Sequence, residues 1–278
     1  MTNYLFYKYS KGISLAEAIL INNNPVFLQI QNGKPVLSEI IELDNQVIVP
    51  PDKSSYLSKE YTFSSKEEIE HYIKRAKNET LDSIYKKEKN VWKKYFDIDN
   101  ETLTLCAADT IFTYFQGKLG MTHYLLFVGD NSTGKSNALR IFHHLGYRSL
   151  FDVSITPANI YNFLGQFEEG QGIILEDELD NIEKQEDKMK IYKTGYVSGA
   201  QVTRIYDNSN NGTKGKGQQR YNTFCFKAFS SEQQPNYKAK GFSERIFTIK
   251  CSPGSPPYDI SEVMNDTGDP KYKKLFRD

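Results

Sequence analysis

Gly129-Asp130-Asn131-Ser132-Thr133-Gly134-Lys135-Ser136 is the stretch of sequence that decides the fold. It separates two glycines by four residues and follows the second glycine with Lys and Ser. Glycines let a backbone fold around phosphates with its N–H groups pointing inward, where side chains would block the approach. We therefore predict that this loop, together with Asn137, binds the phosphates of a nucleoside triphosphate.

The flanks of the loop have the order of elements that phosphate binding requires. Residues 124–128 form a short apolar run typical of a buried parallel strand, and residues 137–144 have helical spacing. Lys135 is expected to place its charge on the β and γ phosphates, and the Ser136 hydroxyl to reach a bridging Mg²⁺. The helix start adds free N–H groups and the positive end of its dipole. ATP and Mg²⁺ are the predicted ligands.

Composition limits the class of protein. The 278 residues carry 35 basic and 35 acidic side chains, so any nucleic-acid surface has to be a local patch. Cys106, Cys225 and Cys251 are far apart and odd in number, which argues against a disulfide framework and against a zinc site. No apolar run is long enough to cross a bilayer, and no signal segment begins the chain. We expect a soluble, cytoplasmic protein with no membrane partner.

The first part of the chain is predicted to be β-rich. Residues 26–30 and 35–37 flank Asn32-Gly33, which is a strong hairpin signal, and residues 46–49 form a further strand candidate. A capping box at 65–68 then starts a charged helix with one narrow apolar stripe. The predicted organisation is a small β-rich accessory domain at 1–62, a connecting helix at 63–98, a nucleotide-binding core at 99–257 and a polar C-terminal tail at 258–278. Because no helical lid domain follows 257, we expect the chain to be truncated at this end.

A second apolar strand ends in carboxylates within Gly172-Ile173-Ile174-Leu175-Glu176-Asp177-Glu178-Leu179-Asp180. The carboxyl ends of strands are where an open α/β sheet places its ligand site. One carboxylate would hold the metal and the next would polarise the attacking water. Asp177 with Glu178 is the preferred pair, with Asp177 and Ser136 on the metal, because strand alternation then puts Glu178 on one face with Glu176. Glu176 with Asp177 stays open as the alternative pair.

With these motifs, residues 101–257 resemble the additional-strand ATPases of the AAA+ and superfamily 3 helicase type. The resemblance implies an α/β P-loop core with one more strand in its parallel sheet, Thr223–Phe229. This strand would lie between the strand before the glycine-rich loop (Walker A motif) and the strand that ends in carboxylates (Walker B motif). It also implies a polar residue after that strand that senses the γ phosphate, here Ser231. The catalytic set that it implies is Lys135, Asp177, Glu178, Ser231 and Arg245.

Two features outside the sheet follow from the same resemblance. Residues 201–206 and 218–222 have the pattern of an antiparallel hairpin, which in superfamily 3 helicases lines a central pore. Its candidate nucleic-acid residues are Arg204, Lys214, Lys216 and Arg220; an ordinary basic, glycine-rich surface loop is the alternative. Arg245 stands where related ring ATPases project an arginine finger, and a local salt bridge with Glu244 or Glu232 is its alternative.

The expected function is an ATP-hydrolysing DNA helicase or translocase that acts in replication as a hexameric ring on single-stranded DNA. A AAA+ remodelling or initiator ATPase with a protein substrate is one alternative. A nucleotide-binding switch or assembly module with little turnover is another. A small-molecule kinase is disfavoured, because a hairpin occupies the place where a kinase needs a substrate lid.

Overall fold

The structure is a computed structural model that describes residues 2–3, 16–32, 34–43, 46–50, 61–165, 169–179, 181–208, 215–235 and 240–261. The chain forms two compact units, one of residues 1–109 with 255–278 and one of residues 110–254. Within the described ranges, every helix is too short or too polar to cross a bilayer.

The described residues of the first unit form seven strands and three helices. The strands are β1 (Thr2–Asn3), β2 (Ala16–Ile21), β3 (Asn24–Gln31), β4 (Lys34–Ser38), β5 (Ile41–Leu43), β6 (Gln46–Val49) and β7 (Thr62–Phe63). The helices are α1 (Lys66–Ala76), α2 (Leu81–Tyr95) and α3 (Asn100–Phe112), the last of which runs into the second unit. The strands form two sheets, ordered β1-β6-β5 and β4-β3-β2-β7.

The predicted hairpin and the further strand of the first unit are confirmed. β3 and β4 pair antiparallel, with Gln31 opposite Lys34, and Asn32 takes the left-handed conformation (φ 52°) that a two-residue turn requires. β6 covers residues 46–49 as predicted. Alternation along β2 and β3 buries Phe27 against Ala16 and Ala18, so this unit has an apolar core of its own.

The connecting helix predicted over 63–98 is wrong as a single helix, because α1 ends at Ala76 and α2 begins at Leu81. The break has a local cause: Thr80 and Ser83 form a reciprocal capping box that starts a new helix. At the start of α1 one half of the predicted box is present: Ser65 accepts from the Glu68 N–H at 3.3 Å, and the Glu68 carboxylate accepts from the Ser64 N–H at 2.7 Å. The sequence analysis missed the second cap, since Thr with Ser replaces the usual Thr with Glu.

In the second unit, the described residues form a further seven strands and four helices. The strands are β8 (Tyr124–Val128), β9 (Ser149–Val153), β10 (Ile173–Asp177), β11 (Gln201–Asn208), β12 (Gly215–Asn222), β13 (Lys227–Ser231) and β14 (Ile246–Lys250). The helices are α4 (Lys135–Leu145), α5 (Pro157–Leu164), α6 (Glu186–Thr194) and α7 (Lys240–Ser243), with short 3₁₀ turns at Gln116–Lys118 and Ile182–Lys184.

Five of these strands form one parallel sheet in the order β14-β8-β13-β10-β9. β13 therefore lies between β8 and β10, so the predicted insertion of a strand at this place is confirmed. The predicted bounds of that strand, Thr223–Phe229, are wrong: β13 begins at Lys227 and ends at Ser231. The apolar residues before Lys227 are buried in the turn that enters the sheet, and burial alone does not distinguish such a turn from a strand.

The predicted hairpin after the acidic strand is confirmed. β11 and β12 pair antiparallel from Gln201 opposite Asn222 to Asn208 opposite Gly215. They form a two-stranded sheet of their own. Lys214 and the side chain of Lys216 lie outside what the structure describes.

Candidate functional site

The glycine-rich loop joins β8 to α4 at the carboxyl edge of the sheet. Gly134 caps α4 in the left-handed conformation (φ 83°), and Ser132 also has a positive φ of 62°. A Cβ on Gly129 would lie 2.4 Å from the Cys251 carbonyl oxygen and 2.9 Å from the Thr133 hydroxyl. Both glycines are therefore required, one by backbone conformation and the other by close approach.

Lys135 lies over the backbone of this loop. Its Nζ donates to the carbonyl oxygens of Gly129 at 2.7 Å and Asp130 at 2.6 Å. Thr133 also donates to the Asp130 carbonyl, at 2.8 Å. Residues 131–137 line a cavity of about 320 Å³. Gly129 and Asp130 do not line this cavity, and their carbonyl oxygens hold the Lys135 ammonium group. The first turn of α4 adds N–H groups that have no partner within the helix.

Asp177 and Glu178 line the same cavity, and Glu176 does not. β10 ends at Asp177, and Glu178 leaves the strand with a positive φ of 59°. The expectation that Glu178 shares a strand face with Glu176 is therefore wrong, since alternation applies only while the strand continues.

Glu176 is engaged elsewhere, in a buried contact with α6. Its carboxylate accepts from Lys188 Nζ at 2.5 Å and from the Tyr192 hydroxyl at 2.6 Å, and Glu176 is fully buried. Burial raises the pKa of Glu176, and the ion pair with Lys188 opposes the rise. Of the two alternative carboxylate pairs, the structure brings Asp177 and Glu178 to the cavity.

Ser230 holds the end of β10 in place, and the sequence analysis missed it. Its hydroxyl donates to the Asp177 carboxylate and accepts from the Glu178 N–H at 3.1 Å. Its carbonyl oxygen accepts from the Leu179 N–H at 2.7 Å. One residue of β13 thus fixes three successive residues after the apolar part of β10, including the left-handed Glu178. The family resemblance implies the adjacent Ser231 instead.

Ser231 also lines the cavity, with Glu232 beside it. Its hydroxyl donates to the Gln233 carbonyl at 2.7 Å and accepts from the Gln233 N–H at 3.3 Å. These bonds form a local turn that keeps the hydroxyl at the carboxyl end of β13.

The cavity residues fit a nucleoside triphosphate with Mg²⁺. The loop backbone, the start of α4 and Lys135 supply the donors and positive charge that phosphates need. Ser136 and Asp177 supply oxygen atoms to the same cavity, and Mg²⁺ prefers a few protein oxygens together with phosphates and water. The volume of about 320 Å³ is within the range of small-molecule sites.

Arg245 lies at the other edge of the sheet. Its carbonyl accepts from the Tyr124 N–H at the start of β8, whereas the glycine-rich loop follows the end of β8. Its guanidinium carbon lies 4.1 Å from the centre of the Tyr196 ring, and its Nε and one Nη are buried without a hydrogen-bond partner. Glu244 has a contact with Lys240 at 4.0 Å. Five residues of strand, about 16 Å, separate Arg245 from the cavity edge of its own chain.

Two of the candidate nucleic-acid residues can be placed on the hairpin. Arg220 is exposed on β12 opposite Thr203. Arg204 is exposed on β11, with its guanidinium carbon 4.8 Å from the Tyr161 ring centre on α5. The Tyr221 ring packs on Tyr161 at 5.1 Å, so Tyr221 fixes the hairpin to α5.

Comparison with known proteins gives structural similarities only. No family model and no curated protein sequence matches the chain. The apo A form of the NrS-1 C-terminal region has a TM-score of 0.44 and 13% identity over 94% of this chain and 66% of that one. A second structure of that region, residues 305–718, has a TM-score of 0.38 and 14% identity, covering 94% and 63%. The JCV helicase bound to a thiazolopyridine compound has a TM-score of 0.36 and 12% identity, covering 72% and 52%. The chain spans between half and two thirds of these structures.

Proposed function

We propose that this chain binds and hydrolyses ATP with Mg²⁺ and uses the hydrolysis to move along single-stranded DNA in a ring of identical subunits. The observation that carries the proposal is the convergence of Lys135, Ser136, Asp177 and Glu178 on one cavity. A phosphate-binding loop alone suits switches, kinases and motors equally. Two carboxylates facing it supply the metal ligand and the base that hydrolysis requires.

Each residue has a distinct role in this proposal. Lys135 exchanges the loop carbonyls for oxygens of the β and γ phosphates. Ser136 and Asp177 hold Mg²⁺, which supplies charge neutralisation on those phosphates. Glu178 accepts a proton from the attacking water, and Ser231 donates to the γ phosphate.

The ring is supported by the position of Arg245. An arginine at the amino edge of the sheet is about a strand length from its own cavity, so to contact a phosphoryl group Arg245 would have to leave the Tyr196 ring and enter the site of a neighbouring copy. A guanidinium there would stabilise charge on the transferred group. The hairpin basic residues would track the DNA backbone without reading bases.

The test is ATP turnover with and without single-stranded DNA, for the wild-type chain, Lys135→Ala, Glu178→Gln and the Lys214→Ala/Lys216→Ala double variant. We expect DNA to raise ATP turnover in the wild type. Both active-site variants should lose ATP turnover, and the double variant should keep the basal rate without stimulation by DNA. Wild-type ATP turnover that does not change on addition of DNA would contradict movement along DNA. Bound ATP without turnover would support a switch.

The assembly state is measured separately. Native mass measurement with a non-hydrolysed ATP analogue should give a closed oligomer. A monomer at every concentration would leave Arg245 no neighbouring site and would contradict the ring.

A further inference from the structure

The β11–β12 hairpin is held at its base and through Arg204 and Tyr221, which contact Tyr161 of α5. Its two strands pair only with each other among the described residues, so no ladder of hydrogen bonds joins them to the five-stranded sheet. An isolated two-stranded ribbon is marginally stable in water. Its eight paired residues on each strand also give the hairpin a length of about 27 Å. The contacts at its two ends, together with its packing on α5, therefore determine its orientation.

Lys227 joins the two ends, alongside backbone bonds from the Thr223 N–H to the Ala200 carbonyl at 3.1 Å and from the Cys225 N–H to the Gly195 carbonyl at 3.2 Å. Its Nζ donates to the carbonyl oxygens of Cys225 at 2.9 Å and Thr223 at 3.1 Å, on the chain that leaves the hairpin. It also donates to the Gly195 carbonyl at 3.3 Å, on the chain that enters the hairpin. One ammonium group thus joins the segments before and after the ribbon.

The contact is closely packed and closed to solvent. Lys227 is fully buried, and its Nζ lies 4.7 Å from the centre of the Tyr124 ring. A Cβ on Gly195 would lie 2.2 Å from the Thr223 carbonyl oxygen and 2.7 Å from Lys227 Nζ. A buried ammonium is costly unless it is fully hydrogen-bonded, so its position is fixed by these oxygens. Burial lowers the pKa of Lys227.

The same residues lead to the cavity. Lys227 begins β13, and β13 ends at Ser230 and Ser231, about 13 Å away along the strand. On the entering side, α6 ends at Thr194, next to Gly195, and Lys188 and Tyr192 of α6 bind Glu176 beside Asp177. The base of the hairpin is therefore tied to the two strands whose carboxyl ends line the cavity.

We propose that Lys227 is a positioning residue that fixes the hairpin to the sheet and couples nucleic-acid contact on the hairpin to turnover in the cavity. The inference rests on the proposed function. Lys227 is fully buried and does not line the cavity, so it acts through the carbonyl oxygens of Gly195, Thr223 and Cys225. Its loss leaves both contact surfaces and the backbone bonds at the hairpin base intact, and removes the buried side-chain link between the base and the first residue of β13.

The main experiment compares Lys227→Met with the wild type and with Lys190→Met, a matched control for an exposed lysine of α6. The readout is the ratio of ATP turnover with saturating single-stranded DNA to turnover without it. We expect Lys227→Met to keep basal turnover and DNA affinity within about threefold of the wild type and to lose at least four fifths of the stimulation. Lys190→Met should keep the stimulation. A Lys227→Met protein with the full wild-type ratio would overturn the inference.

A second variant and a second measurement cover a failure of Lys227→Met to fold. Gly195→Ala keeps the lysine but puts a methyl group against the Thr223 carbonyl, so it should uncouple the hairpin as well. Hydrogen exchange with a non-hydrolysed ATP analogue should change amide protection at 195–200 and 223–226 in the wild type but not in the variant. Amide protection at 129–137 should change on binding of the analogue in both the wild type and the variant. An equal response of the hairpin base in both would contradict the coupling, whereas a wild type without ATP turnover would overturn the proposed function itself.

Discussion

The two edges of the five-stranded sheet each hold a lysine that donates to backbone carbonyls. At the carboxyl edge, Lys135 is half-buried and contacts the carbonyls of Gly129 and Asp130 beside a cavity. At the amino edge, Lys227 is fully buried and contacts carbonyls on both sides of the hairpin. Solvent access separates their roles: a lysine beside a cavity can exchange its partners for a ligand, and an enclosed lysine can only hold its own chain together.

The acidic residues show the same contrast over a shorter distance. Glu178 is exposed at the cavity, whereas Glu176, two residues earlier, is fully buried against Lys188 and Tyr192. Two carboxylates that are two residues apart thus divide between the cavity and the buried interior according to where the strand ends.

The largest expected effect comes from the cavity lysine. Lys135→Ala should lower ATP turnover at least about 10³-fold, because it removes the cation that faces the transferred phosphoryl group. Phosphate release measures it. Lys190→Ala is the matched control and should stay within about twofold of the wild type. If Lys135→Ala kept ATP turnover within tenfold of the wild type, the contrast between a ligand-binding Lys135 and a structural Lys227 would be contradicted.

The paired glutamates give a reciprocal test. Glu178→Gln should lower turnover about 10³-fold through loss of the base, with stability within about 0.5 kcal/mol. Glu176→Gln should lower the free energy of unfolding by about 3 kcal/mol, because it leaves Lys188 buried without an anionic partner, and should keep turnover within about threefold. Urea unfolding and steady-state kinetics measure the two effects. The reverse pattern would show that Glu176 is the catalytic carboxylate.

A smaller effect is expected at Ser230. Ser230→Ala should lower kcat about tenfold with little change in the Kd for ATP, because the Asp177 carboxylate and the Glu178 N–H lose a shared partner. Ser230→Thr retains the hydroxyl and should recover most of the rate. Equal rates for Ala and Thr variants would remove the positioning role from this hydroxyl.

The smallest effect concerns pH. Burial lowers the pKa of Lys227 below its usual 10.5, so the unfolded chain binds more protons in the interval between the folded value and 10.5. The stability of the wild type relative to Lys227→Met should therefore rise with pH through that interval, by about 1.4 kcal/mol for each unit of lowering. Urea unfolding across a pH series measures it. A difference that stays constant with pH would mean that burial does not perturb this lysine.

Sequence reasoning predicted the parts of the second unit that depend on local pattern. The strand at 124–128, the loop after it and the helix that opens at Lys135 are present, because glycine spacing and apolar runs determine them locally. Placing β13 between β8 and β10 required the family resemblance, since strand order depends on distant parts of the chain. The edge strand β9 has no apolar run to mark it and was missed.

The residues that hold the site were harder to predict. Ser230 and Ser231 are equivalent in sequence, and only the end of β13 decides which hydroxyl meets Asp177. Lys227 lies within an apolar stretch of the sequence, and three backbone carbonyl oxygens from both ends of the hairpin accept from it in the fold. Such long-range contacts leave no periodic signal.

The central claim is that the cavity at the carboxyl edge is an ATP site that Lys135 completes. Calorimetric titration of a non-hydrolysed ATP analogue into the wild-type chain and into Lys135→Ala, with and without Mg²⁺, tests it most directly. We predict one site for each chain in the wild type, affinity that weakens without Mg²⁺, and at least about 100-fold weaker binding in the variant. Absence of binding in the wild type, or equal affinity in the two proteins, would contradict the claim.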